Sequence, residues 1–127
     1  MAKEIIKTDK APAPIGPYNQ AVRSGGMLFV SGQIALHPET GTLECDDIRT
    51  ETQRVMKNIE AVLKRAGMSM DQVLKCSIFL KDMNQFPQVN EVYGSFFSEG
   101  MEPARETVEV ARLPKDVNVE ISVIAAE

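Results

Sequence analysis

Pro103-Ala104-Arg105-Glu106-Thr107-Val108-Glu109-Val110-Ala111-Arg112-Leu113-Pro114-Lys115-Asp116-Val117-Asn118-Val119-Glu120-Ile121-Ser122-Val123 carries two period-two runs separated by a Pro-containing break. Successive side chains of a strand alternate between faces. In the first run Val108 and Val110 therefore share one face, and Arg105, Thr107 and Glu109 share the other. In the second, Val117, Val119, Ile121 and Val123 oppose Asn118, Glu120 and Ser122. If both valine faces are core, Arg105 and Glu120 lie together on the opposite face of a sheet. A fixed cation beside a carboxylate there would grip a small carboxylate ligand and orient a water next to it. On the residues alone, the same pair reads equally as a structural ion pair or as two solvated strand residues.

Upstream, residues 3–8 suggest a short strand and residues 11–17 a Pro-rich turn. The stretches 19–24 and 27–33 flank Gly25-Gly26, a hairpin turn. His37-Pro38-Glu39-Thr40-Gly41 is a loop. Asp46 or Asp47 can cap a helix that runs to about Ala66, with Gly67 as its left-handed stop. Val55, Ile59, Val62, Leu63 and Ala66 form its apolar stripe. Val73 to Leu80 reads as a strand. Asp82 or Asn84 can cap a second helix to about Ser98, with Gly100 as the stop and a stripe of Phe86, Val89, Tyr93, Phe96 and Phe97. Strands, helix, strand, helix and strands in that order predict one α+β domain over residues 1–127. Two helices cover only one face of its sheet. The other face is expected to carry Arg105, Thr107, Glu120 and Ser31, and a second copy of the chain is the economical cover.

At 127 residues the chain can bury roughly two-thirds of its unfolded surface. The net charge of −4 is interspersed rather than blocked, which leaves no footprint for nucleic acid. No apolar stretch approaches the ~20 residues that cross a bilayer, and Met1-Ala2-Lys3-Glu4-Ile5-Ile6-Lys7 has no signal-peptide core. A cytoplasmic protein is expected. Cys45 and Cys76 have no CxxC partner and read as free thiols in a reducing compartment. No Cys/His cluster has metal spacing, and neither a P-loop nor GxGxxG occurs. Ser31 has no nucleophile elbow, and the only histidine, His37, has no partner that sequence identifies, so a serine-hydrolase reading is poor. Asn90, between Phe86 and Tyr93 on the second helix, reads as a buried amide that satisfies backbone groups. Gly32 fits where a ligand needs close backbone approach, and it equally fits a bulge.

Four blocks carry a family resemblance. They are Ala13-Pro14-Ile15-Gly16-Pro17-Tyr18-Asn19-Gln20-Ala21, Leu28-Phe29-Val30-Ser31-Gly32-Gln33-Ile34, Asn90-Glu91-Val92-Tyr93 with Phe96-Phe97, and the tail Pro103-Ala104-Arg105 … Val108-Glu109-Val110-Ala111-Arg112-Leu113-Pro114 … Val119-Glu120-Ile121. In this order and nearly end to end, they resemble the Rid/YjgF family, in particular its RidA branch. The resemblance implies a chorismate-mutase-like fold with two helices on one face of a mixed sheet. It also implies homotrimers with ligand clefts between subunits, and no cofactor. It implies hydrolysis of small 2-imino or enamine acids, such as 2-iminobutyrate and 2-iminopropionate, to 2-oxo acids and ammonia. Arg105 would hold the substrate carboxylate and Glu120 would serve the hydrolytic water, with Tyr18, Ser31, Gly32, Asn90 and Thr107 lining the cleft. Thr107 is a departure, since RidA-branch members usually carry cysteine there, and threonine offers no thiolate. The alternative is a non-catalytic or regulatory trimer that binds small 2-oxo or imino acids or a protein partner. A third reading is the endoribonuclease or translation-inhibitor role attributed to some members, against which the acidic charge balance speaks.

Overall fold

The computed structural model describes residues 2–127. Its elements are β1 (Glu4–Ile6), β2 (Ala21–Ser24), β3 (Met27–Gln33), α1 (Ile48–Arg65), β4 (Val73–Leu80), α2 (Phe86–Gly94), β5 (Ala104–Glu109) and β6 (Val119–Ala126). The six strands form a single mixed sheet in the order β1-β2-β3-β6-β4-β5. Only β4 and β5 pair in parallel, joined by the α2 crossover. This is the expected α+β arrangement. No helix among the described residues is long and apolar enough to cross a membrane.

Local chemistry sets most boundaries. Gly25 and Gly26 both adopt positive φ, 59° and 80°, as a two-residue turn matched to strand twist requires. The Asp47 carboxylate accepts from Thr50 N at 2.9 Å and caps α1, and Gly67 at φ 77° follows its end. The second helix is shorter than its sequence suggests. It ends at Gly94, after which Phe96 N and Phe97 N bond to the carbonyls three residues back, Tyr93 O and Gly94 O. These tighter turns still deliver Phe97 to the core, so the apolar spacing outlasts the helix.

Two buried polar residues of α1 fix the segments that later frame the pockets. Asn58 is 0% exposed and donates through Nδ2 to Ile34 O (3.1 Å) and Leu36 O (2.9 Å). Glu51 is also 0% exposed. Its carboxylate accepts from Asn118 N (2.7 Å), Asn118 Nδ2 (2.8 Å) and Val119 N (3.2 Å), which pins the start of β6. Glu51→Gln swaps one acceptor oxygen for a donor that meets these N–H groups. A loss of about 1–3 kcal/mol is expected, the scale of a buried donor left unpaired. A urea midpoint unchanged from wild type would contradict the clamp.

Both helices pack on one face, over Leu28, Val30, Ile78, Ile121 and Val123. The outer valines of the tail do not share that core. In the β4–β5 register, Cys76 lies opposite Arg105 and Ile78 opposite Thr107, while Phe79 lies opposite Val108. Cys76 and Ile78 are buried on the helix side. Arg105 and Thr107 therefore sit on the helix side, and Val108 faces the open side at 42% exposure. Phe79 also lies opposite Glu120, which places Glu120 on the open face. The expectation that Arg105, Thr107 and Glu120 share a face is thus corrected: Arg105 and Thr107 lie on one side of the sheet, and Glu120 on the other with Ser31.

The open face is part apolar. Phe29 (45% exposed) lies opposite Ile124, and Phe79 lies opposite Val108, two apolar patches separated by the row of Ser122, Ser77 and Glu106. At one edge Lys75 pairs with Glu106 at 3.0 Å, and Ser77 Oγ donates to the same carboxylate. This mixture is what led the β5 pattern astray, because valine serves an apolar outer face as well as a core.

Candidate functional site

Two pockets on opposite sides of the sheet hold Arg105 and Glu120 respectively. On the helix side, α2 crosses β5 so that its Asn90 and two rings meet Arg105. Arg105 Nη1 donates to Asn90 Oδ1 at 2.6 Å. Its guanidinium carbon stands 5.1 Å from the Phe86 ring centroid and 5.2 Å from that of Tyr93. Cation–π contact on two rings and one side-chain bond hold the plane of the fork. Among the described residues Arg105 forms no ion pair. It lines a pocket of about 420 Å³ with Asn90, Tyr93, Gly94, Glu102 and Pro103. Tyr93 Oη and Thr107 Oγ1 are buried without a hydrogen-bond partner. Burial first, and the neighbouring Cys76 second, push the Tyr93 hydroxyl well above the usual phenol range, so it stays a neutral donor. Burial likewise raises the Cys76 thiol, which is not a reactive thiolate.

On the open side, Val30 and Gln33 pair with Val123 and Ile121 of β6, with a register shift between them. Ser31 and Gly32 occupy this bulge, and it lets Glu120 lie against the backbone. A Cβ on Gly32 would stand 2.8 Å from Glu120 Cδ, so the missing side chain is what accommodates the carboxyl group. The bulge reading of Gly32 holds, and the group that approaches its backbone is the chain's own Glu120 carboxyl. Ser31 Oγ donates to Asn19 O at 2.6 Å, and Tyr18 Oη accepts from Ile15 N at 3.2 Å, leaving its proton free to donate. These residues surround a pocket of about 410 Å³ with apolar walls from Ile15, Ile34, Leu36 and Pro114. Burial raises the Glu120 carboxyl above the usual glutamate range. Among the described residues no cation pairs with it.

The sequence-predicted residues thus divide in two. Arg105, Asn90 and Thr107 gather on the helix side; Glu120, Tyr18, Ser31 and Gly32 gather on the open side. Asn90 is exposed rather than buried, and it bonds a side chain rather than the backbone. One half is built to hold an anion flat against a cation. The other is a partly desolvated carboxylate beside a phenol and an apolar wall. His37 lies outside both, its Nδ1 accepting from Glu39 N. No group of three or more His, Cys, Asp or Glu positioned for a metal occurs among the described residues. Sequence reading missed Phe86 and Tyr93 as ring supports for Arg105, because their helical spacing already explained them as core. It also missed Glu102, which the strand pattern does not reach.

Residues 8–127 match the family model described as endoribonuclease L-PSP. A RutC family protein of Pyrococcus abyssi is 53% identical over 98% of this chain and 98% of its own. The crystal structure of YyfA, described as a conserved Rid family protein of unknown function, from Yersinia pestis, superposes with a TM-score of 0.96 at 48% identity. The match covers 99% of this chain and 100% of that one. TdcF of E. coli, crystallised with bound serine, superposes at 0.92 with 43% identity over 98% of each chain.

Proposed function

This chain belongs to the Rid/YjgF family, and on that premise we propose that it is a hydrolytic deaminase that converts small 2-imino and enamine acids to 2-oxo acids and ammonia. The observation that carries the reading is the Arg105 fork. It is held flat by Asn90, Phe86 and Tyr93, has no ion pair among the described residues, and opens on a pocket large enough for a small acid. That is a receptor for a carboxylate.

The reaction needs little beyond it. An imine carbon is already electrophilic, so water adds at C2 and the imine nitrogen takes up protons. The C–N bond of the carbinolamine then breaks, and its hydroxyl becomes the 2-oxo group as ammonia leaves. Glu120 takes the water proton and returns it to nitrogen. Burial raises its basicity, which favours its taking the proton. The chemistry asks for positioning and a polarised water rather than a covalent nucleophile.

Arg105 and Glu120 of one chain face away from each other across the sheet. The reading therefore requires a second copy, with the Arg105 pocket of one subunit closing on the Glu120 pocket of the next. The apolar open face, with Phe29 and Val108 nearly half exposed, supplies the surface for that contact. A homotrimer is expected, sedimenting at three times the 14.0 kDa chain mass. A fully active monomer would overturn the composite cleft.

The direct test generates imines in situ with a pyridoxal-phosphate dehydratase and follows 2-oxo acid formation with and without this protein. Acceleration supports the deaminase. Tight binding of a 2-oxo acid with no acceleration would favour the second reading, a ligand-binding trimer without turnover. The serine in the TdcF crystal is the observation that keeps that alternative open.

A further inference from the structure

We infer that Glu102 determines specificity in the Arg105 pocket, so that the pocket admits ligands with one carboxylate and rejects dicarboxylates. The inference deepens the proposed function and rests on it for the identity of Arg105's ligand.

The pocket wall holds two charged side chains, Arg105 and Glu102. They come from one short stretch, on either side of Pro103-Ala104. Pro103 is itself part of the wall, and its ring fixes φ at that point, so the approach of Glu102 to the pocket is conformationally restricted. Residues 101–103 precede the first β5 residue, Ala104, and Glu102 is free of ladder pairing with β4. It makes no hydrogen bond and no ion pair among the described residues, so its charge is not spent elsewhere. Both charges act on the same buried group, the Tyr93 hydroxyl, Arg105 favouring its ionisation and Glu102 opposing it.

A ligand seated by one carboxylate on Arg105 therefore has its other end in the field of Glu102. If the pocket closes against the open-face pocket of a second copy, the far wall adds a second acid, Glu120, with apolar Ile34 and Leu36. One cation then faces two carboxyl groups. A second carboxylate on the ligand would have no cation to meet and two like charges to approach, which is how like-charge contact rejects a wrong partner. A short apolar side chain would instead find Ile34 and Leu36.

The test compares 2-oxobutyrate with 2-oxoglutarate, a mono- and a dicarboxylate, as equilibrium ligands. Calorimetry on the full-length protein gives the ratio of their dissociation constants for wild type, Glu102→Gln and Glu102→Lys. Glu102 is exposed, so neither variant threatens folding. Wild type should prefer the monocarboxylate. The preference should fall by about tenfold in Glu102→Gln, the scale of removing one like charge in a partly screened pocket, and further in Glu102→Lys. High salt should narrow the wild-type ratio. A ratio unchanged within about twofold in both variants would overturn the assignment, and so would binding of neither acid to wild type. Binding needs no turnover, so the outcomes separate. Discrimination that responds to Glu102 without imine hydrolysis would defeat the deaminase and keep Glu102. Hydrolysis with an unresponsive ratio would defeat Glu102 alone.

Discussion

Arg105→Ala is expected to abolish imine hydrolysis, with a loss of kcat/KM of about a thousandfold, ~4 kcal/mol, the scale of truncating one member of a hydrogen-bonded charge pair at a binding site. The fold should not suffer with it. Arg105 is exposed on an edge strand, and its bonds are to Asn90 and two ring faces rather than to backbone. Light scattering and the thermal midpoint should stay close to wild type. Arg105→Lys is the sharper variant. Lysine keeps the charge but not the planar fork, so it cannot stack on Phe86 and Tyr93 while offering two parallel donors to a carboxylate. It should be severely impaired as well, mostly through weaker substrate binding and misorientation. Near wild-type turnover in the lysine variant would sink the carboxylate-anchor role, because any cation would then suffice.

The path by which Arg105 reaches this position also explains what the sequence can and cannot disclose. The elements themselves are local events. Asp47 and Gly67 bracket α1, Gly25-Gly26 turn the first hairpin, and β4 runs from Val73 to Leu80 as its apolar run suggests. Each signal is read within a few residues of the structure it makes. The facing of β5 is different in kind. Alternation separates Arg105 and Thr107 from Val108 and Val110, but it does not say which set meets the helices. That choice is made by the register against β4, where Ile78 meets Thr107, and by α2 bringing Asn90, Phe86 and Tyr93 over the strand. The helix side at this edge is polar where it forms a pocket, and the outer side carries exposed Val108 along with the Lys75–Glu106 pair. A rule that assigns valines to the core fails at just such a strand. For β6, at the sheet centre, the same rule succeeds, since Val119, Ile121 and Val123 are buried under α1.

The residue chemistry of the candidate site was legible even where its geometry was not. Arg105, Glu120, Tyr18, Ser31, Gly32, Asn90 and Thr107 all line or support one of the two pockets, or share the strand face that does. Their division between two pockets was not legible, because strand patterns describe one chain and the cleft is proposed to need two. Thr107 illustrates the limit. Its hydroxyl is buried and unpartnered on the same strand as Arg105, whereas in sequence it registers only as a missing cysteine.

Glu120→Gln is expected to cost at least about a hundredfold in turnover, the lower end for removal of a general base, while 2-oxo acid binding persists because Arg105 is untouched. The two losses thus have different signatures, binding for Arg105 and kcat for Glu120. Two further measurements distinguish a base from a structural carboxylate. The first is stability. Within a single chain burial disfavours the ionised form of Glu120, so its proton is held more tightly in the folded chain than in the unfolded one, and Arg105 of a second copy closing on it would offset part of that. The stabilising contribution of such a group is complete below the ordinary glutamate value of 4.5 and is lost as pH rises through the raised folded value. Above the raised folded value the ionised carboxylate is a burden on the single chain's fold, and neutral glutamine should leave that fold's stability equal or improved there. The second is the pH profile. Hydrolysis requires the ionised form, so kcat/KM should rise with pH along an acid limb placed above 4.5, and the limb should vanish in Glu120→Gln. A glutamine variant that is destabilised, keeps the limb and keeps its turnover would assign Glu120 to structure. A variant that is at least as stable, flat in pH and nearly inactive is what a partly buried carboxylate beside Gly32, retained against the interest of the fold, is expected to give.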